Sequence, residues 1–318
     1  MKILVTGGAG YVGTTLVPKL LEKGYDVTIF DNLMHGGNQI LPFFRYKNFK
    51  FIKGDIRNAE ELTEATEGQD IIIHLAALVG FPVCRMNPEL AKEINVQGTI
   101  NLIDACSDEQ IILYGSTGSN YGVVTDICTE ETPLNPLSLY GETKTKAEQL
   151  LLERGNTIAY RFATAFGVSP RLRLDLLVND FINKCLRDGY LVVYEKNFMR
   201  TFVHVSDMAE SFIFGIENID KMINNVYNVG DDSMNYSKEQ ICSMIQENIL
   251  KTRKTNAFIH FEEIGSDADK RNYIVSYDKI NSLGFYTKID MEQGIREAIE
   301  VLKIIDLDNA YTNAKCFS

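Results

Sequence analysis

A doubly wound parallel α/β sheet carrying a smaller α/β lobe is predicted by three features of this 318-residue chain. Apolar strand-like runs alternate with amphipathic helical stretches through the first half, the pattern of repeated strand–helix crossovers. Several runs, such as Ile71-Ile72-Ile73 and Ile111-Ile112-Leu113, are apolar on successive residues, as a sheet covered on both faces requires. A glycine-rich turn joins the first strand to the first helix.

Strands are expected at 2–6, 26–30, 49–53, 70–75, 110–114 and 157–162, with helices near 11–23, 58–67, 88–106 and 139–154. The turn reads Gly7-Gly8-Ala9-Gly10-Tyr11-Val12-Gly13. Glycines there allow a sharp bend, close backbone approach to a pyrophosphate and tight helix–sheet packing, while the helix start faces the phosphates with its free N–H groups. The second strand ends in Asp31, with Asn32 beside it, about 20 residues on, where a carboxylate accepts ribose hydroxyls. A carboxylate there repels a 2′-phosphate, so the Rossmann-type domain is expected to take NAD rather than NADP.

The regular pattern ends near residue 167. Beyond it come a helix near 174–188, a strand at 190–194, the segment Thr201–Val205, helices at 207–218 and 236–249, and a last helix from Asp290 to Leu302. The expected division is a dinucleotide-binding domain at 1–167, with 201–222 returning to it, and a substrate-binding lobe at 168–200 and 223–318.

Composition narrows the partners. A formal net charge of −11 argues against a nucleic-acid or anionic-membrane surface. The six cysteines form no Cys-x-x-Cys pair and the four histidines show no ligand spacing, so neither disulfides nor a metal is expected. Met1-Lys2-Ile3 enters the first strand directly, and no apolar run approaches the ~20 residues of a membrane span, so the expectation is a cytoplasmic protein without a signal peptide.

Tyr140-Gly141-Glu142-Thr143-Lys144 sets a phenol and an ammonium four residues apart, on one face of a helix. A phenol of pKa about 10 is a poor base. A neighbouring cation and a positive nicotinamide ring both favour the phenolate, so Tyr140 can serve as base and acid, with Lys144 supplying the field and binding the nicotinamide ribose. The pair follows the polar strand end Gly115-Ser116-Thr117-Gly118-Ser119-Asn120-Tyr121-Gly122.

Together these segments resemble the extended short-chain dehydrogenase/reductase family of nucleotide-sugar epimerases and dehydratases, over nearly the whole chain. The resemblance implies adenine contacts from Asp55 and Ile56, and a strand end His74-Leu75-Ala76-Ala77 passing under the cofactor. Asn95-Val96-Gln97-Gly98-Thr99 is similar to the family's signature helix. Counted back from Tyr121-Gly122, the catalytic hydroxyl falls on Thr117, with Ser116 the near alternative and a substrate contact. Arg200, in Arg200-Thr201-Phe202-Val203-His204-Val205, and Arg271, in Asp269-Lys270-Arg271, are the implied anchors of the substrate diphosphate. His74 and His204 read as structural. A homodimer across the helices near 88–106 and 140–154 is implied as well.

The family's shared step is oxidation of a sugar hydroxyl, commonly at C4. Its dehydratases carry an Asp-Glu pair after the catalytic Thr; here those positions are Gly118 and Ser119, and the decarboxylases' glutamate is absent too. Ser169 to Phe181 and Ala76 to Gly80 are similar to a subgroup of GDP-heptose 4-dehydrogenases, which implies a 4-dehydrogenase of a nucleotide-diphosphate sugar in bacterial surface polysaccharide biosynthesis. The alternative is a 4-epimerase with tightly held NAD; a non-enzymatic alternative is an NAD-binding scaffold or redox sensor.

Overall fold

The computed structural model describes residues 1–253, 256–263, 272–305, 307 and 311–313. Seven strands form one sheet: Lys2–Thr6 (β1), Asp26–Asp31 (β2), Phe49–Lys53 (β3), Ile71–His74 (β4), Ile111–Thr117 (β5), Thr157–Phe162 (β6) and Asn225–Val229 (β7). Their order is β7-β6-β5-β4-β1-β2-β3, and every neighbouring pair is parallel. The chain steps outward from β1 to β3, then returns to the other side of β1 with β4. The loops after β1 and β4 therefore diverge, which opens a crevice at the carboxyl ends of these strands.

The apolar runs divide between two cores, as strand alternation requires. Ile3, Val5, Ile71, Ile73, Leu113 and Ile158 pack on one face with helices Gly13–Glu22 and Val205–Glu217. Leu4, Ile72, Ile112, Tyr114 and Ala159 pack on the other with helices Ala59–Thr66, Gly98–Ala105 and Leu139–Arg154. Three isoleucines in a row are buried because each face has its own helical cover.

A third core forms around Phe166, Ile182, Leu191, Phe202, Ile245 and Ile295. It joins helices Leu177–Arg187, Lys238–Arg253 and Met291–Leu302 to the parallel strand pair Tyr190–Tyr194 and Phe258–Glu262. Met199–His204 lies between Thr164–Phe166 and Asn235–Ser237 in a small separate sheet.

Two expectations need correction. The second lobe does not resume at residue 223, because Asn225–Val229 pairs with β6 and extends the large sheet; its Tyr227 and Val229 supply the apolar face that the edge needs. The stretch 88–106 is not one regular helix. Pro88–Lys92 and Gly98–Ala105 flank a widened π-type turn at Glu93–Gln97, and such turns recur at functional sites. Here the turn carries the buried Asn95. Among the described residues no helix is long and apolar enough to cross a membrane and no cluster of side chains fits a metal.

Candidate active site

A cavity of about 550 Å³ opens at the carboxyl ends of the parallel strands. Its wall holds Gly7, Gly10, Tyr11, Val12, Gly13, Asp31, Asn32, Asp55, Ile56, Leu75, Ala76, Ala77, Ser116, Thr117, Tyr140, Lys144 and Arg200. Segments far apart in the sequence thus meet in one place. Arg271 lies outside the described residues.

The glycine turn is built as its composition demands. Gly7 sits at φ +71°, and a Cβ there would lie 2.6 Å from the Ala76 nitrogen; a Cβ on Gly13 would lie 2.5 Å from the Gly8 carbonyl oxygen. These contacts bring the wall at Ala76 and the helix start against the turn. The helix Gly13–Glu22 begins with no side-chain cap and no acidic residue in its first turn, so its N–H dipoles face the cavity without an internal anion. Tyr11 turns its hydroxyl away and donates to the Gly167 carbonyl at 2.8 Å.

Asp31 accepts the backbone N–H of Ala9 (3.0 Å) and of Leu33 (2.8 Å). Burial nevertheless holds its pKa above the ordinary carboxylate value, an environment that favours further hydroxyl donors and disfavours a phosphate. Asp55 is clamped by Arg57, with Nε–Oδ1 at 2.9 Å and Nη2–Oδ2 at 2.8 Å, and also accepts from Asn32 Nδ2 at 3.1 Å. Arg57 keeps its pKa well below the carboxylate range.

The catalytic candidates are held by two elements. Helix Leu139–Arg154 starts at Ser138, whose hydroxyl accepts the Gly141 N–H at 3.1 Å, placing Tyr140 in the first turn and Lys144 one turn on. Strand β5 delivers Ser116 and Thr117. Ser116 donates to Glu148 Oε2 at 2.5 Å and accepts from Asn120 Nδ2 at 3.2 Å. Its hydroxyl is thereby committed to an interior network, whereas the Thr117 hydroxyl is engaged within its own turn, with Ser119, which also lines the cavity. Thr117 Oγ1 accepts the Ser119 N–H and donates to Ser119 Oγ, both at 3.1 Å.

Lys144 is 3% exposed, with Nζ 4.0 Å from the Tyr114 ring centre. Burial pushes its pKa from 10.5 down to about 7 against the opposing pull of Glu148. Below about pH 7 folding buries a charge that the unfolded chain keeps in water, and the cost is complete. Between about 7 and 10.5 the folded amine is neutral while the unfolded one still binds a proton, so stability rises with pH. We expect the urea midpoint of NAD-free protein to climb through this window and the Lys144→Met variant to lose that part of the rise. An unchanged profile in the variant would contradict the placement of Lys144.

Several functional contacts had only partial sequence signals. Asn95 accepts the Leu78 N–H (2.7 Å) and donates to the Leu78 carbonyl and to Thr143 Oγ1, both at 3.0 Å. It thus fixes a cavity wall to the helix of Tyr140. Arg173 pairs with Asp175, Nη2–Oδ2 at 2.7 Å, on the opposite wall. Arg200 is 1% exposed and lines the same space. His74 is buried between Thr6 and Thr99, and burial takes its pKa down to about 3, so it is a neutral packing residue. His204 caps the helix Val205–Glu217 through Nδ1.

The model of the NAD dependent epimerase/dehydratase family matches residues 3–230. A putative UDP-glucose 4-epimerase of Methanocaldococcus jannaschii is 30% identical over 315 residues, 95% of this chain and 98% of that one. CDP-paratose 2-epimerase of Salmonella typhi is 26% identical over 336 residues, covering 93% and 98%. The structure of UDP-glucose 4-epimerase from Thermus thermophilus in complex with NAD is similar at a TM-score of 0.81, with 25% identity over 95% of this chain and 99% of that one.

Proposed function

The chain belongs to the NAD-dependent epimerase/dehydratase family, an NAD enzyme acting on nucleotide sugars, and from this premise we propose a homodimeric cytoplasmic 4-epimerase of a nucleotide-diphosphate sugar. The observation that carries the reading is one cavity lined by Thr117, Tyr140 and Lys144 together with the glycine turn and Arg200. NAD held there would supply the acceptor, and then the donor, of the hydride exchanged at the sugar carbon.

The chain's own residues divide the remaining work. Gly7, Gly10 and the start of helix Gly13–Glu22 hold the cofactor's pyrophosphate. Asp31 takes the adenosine ribose hydroxyls, and Asp55 and Ile56 bracket the adenine. Lys144 binds the nicotinamide ribose and, in its protonated form, below about pH 7 in the cofactor-free protein, supplies positive potential at Tyr140, whose Oη takes the proton of the sugar hydroxyl and later gives it back. Thr117 Oγ1 orients that hydroxyl. Arg200 anchors the substrate diphosphate, fixing the sugar so that orientation rather than collision sets the rate.

Position 118 supports a route without dehydration. A Cβ at Gly118 would lie 3.2 Å from Tyr273 Oη and 3.3 Å from the Phe162 carbonyl oxygen, so an acidic side chain there requires these neighbours to give by a few tenths of an ångström, and Ser119 is a poor base. The epimerase reading is placed ahead of the 4-dehydrogenase because the M. jannaschii and T. thermophilus relatives are named 4-epimerases. The dehydrogenase remains the second reading, favoured by the stretch Ser169–Phe181, whose Arg171, Arg173 and Asp175 line the cavity. The relative named a 2-epimerase makes the sugar carbon itself part of the test.

Purified protein should be incubated with UDP-, GDP-, CDP- and dTDP-sugars, including GDP-heptose, while NMR follows the sugar and absorbance follows reduced nicotinamide. Inversion at C4 without accumulating NADH is the expected result. A keto sugar formed with stoichiometric NADH would establish the dehydrogenase instead, and no conversion across the panel would overturn both.

A further inference from the structure

The stretch Ser169–Asp175 lies over the glycine turn and is tied to it. Ser169 Oγ donates to the Tyr11 carbonyl at 2.7 Å, and the Arg171 N–H donates to Thr14 Oγ1 at 3.3 Å. Arg171 and Arg173 both line the cavity, and Asp175 pairs with Arg173. The helix start, with no side-chain cap, and two arginines thus line one cavity, a combination suited to a dianionic pyrophosphate.

This cationic wall is held from a distant part of the chain. Asn313 is 4% exposed and itself lines the cavity. Its Oδ1 accepts Arg171 Nη2 at 3.0 Å, and its Nδ2 donates to the Val79 carbonyl at 3.5 Å. Its backbone N–H donates to the Asp175 carboxylate, and two residues earlier the Tyr311 carbonyl accepts the Leu174 N–H at 2.8 Å. The loop after β4 and the stretch over the glycine turn are therefore joined through one asparagine near the C-terminus. Leu172 and Leu174 pack with Tyr11 and Tyr311 beneath that junction.

We propose that Asn313 is a positioning residue for the cofactor: it latches Arg171 and Asp175 to the Val79 loop, closes the pyrophosphate site and sets how long NAD stays bound. The inference rests on NAD occupying this cavity and on no particular sugar. A long residence time is what a 4-epimerase requires, since its hydride must return to the same sugar, whereas a dehydrogenase must release NADH or pass on its electrons.

The test reads cofactor release without substrate. Protein loaded with NADH is mixed with excess NAD, and the fall in enhanced NADH fluorescence gives the dissociation rate for the wild type, Asn313→Ala, and a chain ending at residue 310. Both variants are expected to release NADH about tenfold faster or more, while the urea midpoint of the cofactor-free proteins stays near the wild-type value. Should the truncated chain fail to fold, Asn313→Ala carries the comparison alone. Release within twofold of wild type in the folded variants would overturn the latch, whatever the sugar panel shows; faster release alongside an inactive sugar panel would uphold it and remove only the sugar reading.

Discussion

Replacing Tyr140 with phenylalanine is expected to lower turnover by about 10²–10⁴-fold, equivalent to about 3–5 kcal/mol of transition-state stabilisation, with NAD and nucleotide-sugar affinity nearly unchanged. The substitution removes one oxygen and keeps the ring that packs with the second core. Helix Leu139–Arg154 retains its Ser138 cap, so Lys144 keeps its place over the Tyr114 ring. What is lost is the hydroxyl to which the proposed mechanism gives the proton exchange with the sugar. Loss of kcat with KM preserved identifies an interaction made in the transition state. If kcat falls less than tenfold, proton transfer belongs to another group and the role given to Tyr140 is wrong.

The local code of the chain was legible where short-range periodicity decides structure. The six expected strands of the large sheet all form; Ile71–His74 and the Ile111-Ile112-Leu113 run do so because successive apolar residues can be satisfied only between two helical layers, while Phe49–Lys53, broken by lysines, lies at the sheet edge. Tyr140 and Lys144 share a helix whose ends are set by Ser138 and Gly155, both local signals. Asp31 stands at the end of β2 for the same reason. Non-local pairings were less visible. Asn225–Val229 is short and half polar, and only its docking against β6 makes it a sheet strand. Val123–Cys128 is largely exposed, without polar–apolar alternation, and pairs with Asn272–Val275 from more than a hundred residues away. Asn313 carries no pattern in sequence at all; its meaning comes from Val79, Arg171 and Asp175, which the fold brings to it.

Beneath the candidate site lies a buried charge pair whose disruption is expected to have the largest effect on stability. Arg161 and Glu148 are 6% and 1% exposed, with Nη2–Oε1 at 2.6 Å and Nε–Oε1 at 3.1 Å. Glu148 also accepts from Ser116 and Asn120. Arg161 donates to the Tyr121 hydroxyl and the Glu130 carbonyl, both at 3.1 Å, and the Tyr121 hydroxyl donates in turn to Asn228 Oδ1 at 2.6 Å. One network therefore links β5, the helix of Tyr140 and Lys144, β6 and β7. Arg161→Met removes the cation and leaves a buried carboxylate supported by neutral donors alone within this network, which costs about 3–5 kcal/mol. Against a typical total of about 5–15 kcal/mol, that is a large fraction of the folding free energy. Arg161→Met combined with Glu148→Gln should recover most of the loss, because the amide no longer needs a counter-charge and can still accept from Ser116. Urea midpoints at constant m-value decide it. A single variant within about 1 kcal/mol of wild type would mean that water or a neighbouring cation already neutralises Glu148. A double variant no better than the single one would mean that the arginine matters for its packing and its hold on Tyr121 rather than for its charge, and that the floor of the active site is set by shape.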